Sequence, residues 1–155
     1  MAPFTRSLAA AGGLTLALTG LTGAAHAAPA ARTLHLHGGM YARHAMAAAV
    51  VTQTSAADYR VKITAEGLPA AAMLHVSPHR QVYIAWIADS MSMHGGSAMM
   101  LAAIPLHADG AGLYTGTRVV MMHQVAHVFI TAETTPMTHH PAMPEVTVLD
   151  SAMMH

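Results

Sequence analysis

Cysteine is absent from all 155 residues, which removes disulfides, thiolate zinc sites, iron–sulfur clusters and a cysteine nucleophile together. Charge is sparse as well: 7 basic and 7 acidic side chains leave a formal net charge of zero, and charged residues make up 9% of the chain. Without a basic run there is little to neutralise phosphates, so a nucleic-acid partner has no electrostatic footprint. Past residue 27 no stretch reaches the roughly 20 apolar residues that a membrane span needs, and the mature chain is expected to lack one. Catalytic motifs are missing too: there is no nucleophile elbow, phosphate loop, HExxH helix or usefully spaced acid pair. The acids Asp58, Glu66, Asp89, Asp109, Glu133, Glu145 and Asp150 fall mostly at expected strand ends and turns, where solvation accounts for them. The sequence therefore predicts a protein that is not an enzyme.

What the chain does have is apolar residues at 54%, with 33 alanines among them, together with 14 methionines and 13 histidines. That apolar fraction supports a folded core. So much alanine keeps the core small.

Residues 1–27 combine Arg6, an apolar stretch from Leu8 to about Gly23, and a small-x-small ending at Ala25-His26-Ala27. This is the pattern of a cleavable signal peptide, so the chain is expected to be exported to the periplasm or beyond and to begin at Ala28. Cleavage two residues earlier would instead leave His26 as the N-terminus, where its amine and imidazole could chelate copper together.

Residues 28–46 read as a His- and Met-containing N-terminal segment ahead of the sandwich domain, with flexibility as one option for it. Residues 47–54 suit either a strand or a short helix, because alanine favours helix while Val50, Val51 and Thr52 favour strand. Residues 59–66 alternate apolar and polar side chains at period two, the mark of a half-buried strand. Gly67-Leu68-Pro69 breaks it. Residues 81–87 are aromatic and β-branched on both faces, as in a central strand, with Trp86 expected on the inner side. An apolar run at 99–106, a turn at His107-Ala108-Asp109-Gly110 and a return at 112–120 form a hairpin pattern. Segments 125–133 and 145–149 add two more strands, separated by a loop holding Pro136, Pro141 and Pro144. About seven short strands at such spacing predict an all-β fold, an Ig-like antiparallel β-sandwich over residues 47–150, with 151–155 as a tail.

The succession Gly67-Leu68-Pro69, Val82-Tyr83-Ile84-Ala85-Trp86-Ile87, Asp109-Gly110 and Val128-Phe129-Ile130-Thr131-Ala132-Glu133 resembles the extracytoplasmic domain of anti-sigma-K factors. The resemblance implies a β-sandwich. The chain departs from the family by lacking a cytoplasmic sigma-binding segment and by carrying Met137, His139, His140 and Met143 where the family has a Gly/Ser-rich loop. A sigma-regulatory role is not carried over.

The histidines and methionines are clustered. One group is His35, His37, Met40, His44 and Met46; a second is Met91, Met93, His94, Met99 and Met100; a third is Met121, Met122, His123 and His127; a fourth is Met137, His139, His140 and Met143; the tail holds Met153, Met154 and His155. Several fall in expected loops, where methionine has no core to fill. Thioether sulfur is a soft donor suited to Cu(I), and imidazole takes copper in either oxidation state, so Met/His sets without Cys point to copper before other first-row metals. Calcium and magnesium want oxygen arrays that seven scattered acids do not supply. Residues two apart, such as Met91 and Met93 or His35 and His37, project to one side if extended, and His123 and His127 are expected to share a face. The candidate copper ligands are Met91, Met93, His94, His123, His127, Met137, His139, His140, Met143, His35, His37 and Met40. A copper-handling or membrane-associated protein would be the natural partner of such a binder.

Each residue also has a plainer role. Met73, Met99, Met100, Met121 and Met122 could fill gaps in a core short of Leu and Phe, and His75, His79 and His107 sit singly near turns. A non-metal extracytoplasmic interaction module, with methionines forming an adaptable apolar patch, is the competing function.

Overall fold

The computed structural model describes residues 30–89, 101–141 and 146–151. They form eight antiparallel strands: β1 (Ala31–Gly38), β2 (Met46–Gln53), β3 (Asp58–Glu66), β4 (Val82–Asp89), β5 (Leu101–Ala108), β6 (Leu113–Met121), β7 (Val125–Glu133) and β8 (Thr147–Asp150). The all-β antiparallel expectation holds. The sheet does not part into two open sheets, however. It closes as a barrel in the order β1-β2-β3-β6-β5-β4-β7-β8, sealed where β1 pairs with β8.

Closure depends on β1, which falls within the 28–46 segment placed ahead of the sandwich domain. β1 alternates, with Leu36 fully buried between exposed His35 and His37, and it pairs along its length with β2. Only Leu34 and Leu36 mark its inner side, so its apolar pattern is faint in the sequence. The strand alternative for 47–54 holds, one residue earlier, as β2 (Met46–Gln53): Ala47, Ala49 and Val51 point inward, packed in one core with Leu36, Val61 and Ile63. Alanine's preference for helix yields to that tertiary packing.

One end of the barrel carries the short connection between β6 and β7. β6 and β7 are separated in the sheet by β5 and β4, yet only residues 122–124 join them. Four Cα steps reach about 14 Å at most, which bounds the separation of these two strand ends. At the opposite end residues 67–81 cross from β3 to β4. Leu68, Ala71 and Leu74 are buried beneath this crossing, and the Tyr83 hydroxyl donates to the Pro69 carbonyl at 2.9 Å. The same end carries the turns at 39–45 and 109–112 and the connection after β7.

The β5–β6 seam pairs only at His107↔Thr115 and Ala108↔Tyr114. Beyond it Pro105 offers no N–H, the side chains of Ile104 and Leu106 lie over Gly116, and Arg118 Nη1 donates to the Ala103 carbonyl at 2.7 Å. The hairpin turn follows the sequence reading one or two residues later: Asp109 Oδ1 accepts from the amides of Ala111 and Leu113, with Gly110 and Gly112 at positive φ.

β4 is central and buried on both faces, as expected, but Trp86 is on the other side of it. Tyr83, Ala85 and Ile87 enter the main core, whereas Ile84, Trp86 and Phe129 form a second buried cluster on the outward face, against Leu101 and Ala103. There Trp86 Nε1 donates to Thr131 Oγ1 at 2.7 Å, and the Thr131 hydroxyl donates to Glu133. Glu133 and Asp89 are both buried, so solvation does not account for these two acids.

Candidate metal-binding face

The histidines of β1 owe their position to strand alternation and to register. Leu36 points into the barrel, so His35 and His37 point out. His37 lies directly opposite Met46 on β2 and, on its other side, opposite Asp150 on β8; Met46 in turn lies opposite Glu66 on β3. Residues directly opposite in an antiparallel pair share a face. The outer surface therefore carries a rung of Asp150, His37, Met46 and Glu66. One step along, His35 lies opposite Ala48 and Ala48 opposite Thr64. The small Ala48 side chain leaves a shallow depression of about 280 Å³ lined by His35, Met46, Ala47, Ala48, Thr64 and Glu66.

Around the same outer surface, His127 on β7 places Nε2 at 2.5 Å from Asp150 Oδ1 and stacks on Phe129 with ring centroids 5.3 Å apart. Asp150 thus lies between His127 and His37, joining residues from two separate sequence clusters. Of the two ring nitrogens of His127, Nε2 is committed to the carboxylate, an arrangement that fixes the ring's orientation.

His123 does not share that face. It sits in the 122–124 turn, where its backbone N–H donates to Asp89 Oδ2 at 2.9 Å, its Nδ1 lies 3.2 Å from the same oxygen, and Gln124 donates to Asp89 Oδ1 at 3.4 Å. Tyr59 donates to the His123 carbonyl at 2.9 Å. The buried carboxylate organises the turn, so this pairing is structural even though the imidazole itself is exposed.

Met137, His139 and His140 are exposed in the connection after β7, where Thr138 Oγ1 bonds to the His140 backbone. Met40 shares that end of the barrel, in the turn that also holds His44. Met91, Met93, His94 and Met143 lie outside the described residues, as do Met99, Met100, residues 1–29 and the tail from 152. Asp89 and Leu101, which bound the second cluster, stand at the end of the barrel that carries the His123 turn.

Of the described methionines, Met122 is buried, as core filling predicts, whereas Met40, Met46, Met73, Met121 and Met137 are 54% to 88% exposed. Met73 and Met121 are thus not the gap fillers that the plainer reading made them. Among the described residues no three His, Asp or Glu side chains gather closely enough to hold an ion by themselves. A thioether is the donor that would complete such a set. Clustering along the chain grouped Met46 with His35 and His37 but left it off the ligand set, and it missed Glu66 and Asp150 as their neighbours; the signal was the alternation of two consecutive strands across the short 39–45 turn. Comparisons with protein families, curated proteins and solved structures return no match.

Proposed function

We propose that this is an exported copper-binding protein, serving copper buffering, delivery or resistance, with an antiparallel barrel as the scaffold for surface thioethers and imidazoles. One observation carries the reading: five of the six described methionines present their side chains to solvent. Burial would favour such side chains as packing groups, so their exposure leaves them free for soft-metal ligation. The absence of cysteine fits a binder working outside the cytoplasm, where thiols are prone to oxidation. Thioethers would exchange Cu(I) among shallow sites, imidazoles would hold Cu(II), and no covalent chemistry is required.

The test is titration of the purified protein with Cu(I) under reducing conditions against a chromophoric competitor, with Cu(II) and Zn(II) alongside. Stoichiometric Cu(I) uptake in preference to Zn(II) is the expected result. A protein that stays metal-free in excess Cu(I) refutes the proposal and leaves the exposed methionines as an adaptable surface for a protein partner.

A further inference from the structure

We infer that the outward face of β1 and β2 is a discrete Cu(I) site in which His35, His37 and Met46 supply two imidazoles and one thioether. The inference rests on the copper-binding reading above and says where on the barrel the ion sits. Three features converge on this set. Leu36 anchors β1 in the core and holds the two histidines outward, one strand repeat apart. The β1–β2 register sets Met46 directly opposite His37, with Cβ atoms at the ~5 Å typical of facing residues. Ala48 opposite His35 opens the depression into which His35 and Met46 both face.

The donor chemistry selects the ion. Two neutral imidazoles and a thioether are a soft, uncharged three-donor set of the kind that suits Cu(I), and calcium or magnesium find no oxygen cage there. Glu66 lines the same depression and Asp150 flanks His37, so carboxylates stand on both sides of the set and offset the charge of an incoming cation. The strands are held by complete β1–β2 and β2–β3 ladders. Little backbone ordering therefore has to accompany binding, which favours affinity.

The experiment uses Ag(I) as a diamagnetic stand-in, followed by NMR on the intact protein, together with Cu(I) competition on variants. The first equivalent of Ag(I) should shift the Met46 methyl and the His35 and His37 ring resonances before any other Met or His signal. Met46→Leu and the double variant His35→Gln/His37→Gln should each weaken Cu(I) binding by at least about tenfold, since loss of even an outer partner of a metal ligand costs 10- to 100-fold. Val119→Thr, an exposed position on β6 that carries no donor in the unaltered protein, should leave affinity unchanged. If the first equivalent shifts other residues, or if all variants bind Cu(I) as the unaltered protein does, this site is refuted while copper binding stands. No uptake by the unaltered protein refutes both.

Discussion

Tyr83 and Asp89 show how single polar groups are held inside a core made largely of alanine, valine and isoleucine. Burial pushes the Tyr83 hydroxyl above its ordinary range, and Tyr114, packed edge-on at 5.2 Å, adds to the shift by charge repulsion. A phenol whose folded pKa lies above its unfolded value of about 10 contributes stability that is complete below pH 10 and is lost as pH rises toward the folded value. Stability should therefore fall by about 1.4 kcal/mol per pH unit above pH 10, and Tyr83→Phe should flatten that slope in urea unfolding curves taken across the alkaline range. Asp89 acts on the turn that joins β6 to β7. Truncating it in Asp89→Ala strips the partners from the amides of His123 and Gln124 and should lower stability by about 2 to 3 kcal/mol, read from the urea midpoint at neutral pH. Neither role was visible in the sequence, where both acids and tyrosines looked like strand-end or strand-face residues.

At the scale of elements, the strands with dense β-branched content were legible. Segment 125–133 coincides with β7, and 59–66 differs from β3 by one residue. The period-two pattern of β3 is strong because one face meets the core along its length, whereas β7 stands out by its β-branched run, being buried on both faces from Val128 onward. β1 was not legible, because only Leu34 and Leu36 mark its inner side and its outer side carries histidines that mimic a loop composition. β4 was legible as a strand but not in orientation. With both faces buried, the alternation that would tell Tyr83's side from Trp86's has no polar half. Register was the other hidden quantity, and it matters most for the candidate site, since a one-residue slip of β1 against β2 would turn His35 and His37 inward. The tight end of β1 helps to fix it. A Cβ on Gly38 would stand 2.0 Å from the Ala42 carbonyl oxygen, a backbone atom that cannot swing aside. Gly38→Ala should consequently lower thermal stability by about 2 kcal/mol or more, in the range of overpacking costs, and weaken Cu(I) binding through misplacement of His37, whereas an unaltered melting temperature would show that the 39–45 turn relaxes freely.

For the whole molecule, the consequence of closure is that the proposed ion sits beside one of the barrel's two thinnest seams, the other, β5–β6, being reinforced by the Arg118–Ala103 hydrogen bond. β1 meets β8 through only two residue pairs, His37↔Asp150 and Gly38↔Leu149, whereas β1 meets β2 through seven. Opening of the barrel should begin at the β1–β8 seam, where few backbone hydrogen bonds must break, and β1 would then leave β8 while still paired to β2. An ion bound across His35, His37 and Met46 stiffens the β1–β2 pair and binds only the folded register, so it stabilises by mass action: at a free concentration one hundred times the dissociation constant the gain is about 2.7 kcal/mol. For a domain of this size that amounts to a rise in melting temperature on the order of 10 °C. The measurement is a pair of thermal melts with and without Cu(I), on the unaltered protein and on the His35→Gln/His37→Gln variant, with hydrogen exchange of the β1 amides as a local readout. Copper should raise the melting temperature and slow β1 exchange in the unaltered protein, and in the variant at the same free copper both effects should shrink to about half or less. An equal rise in both would place the stabilising ion elsewhere on the barrel and detach metal binding from closure of the β1–β8 seam.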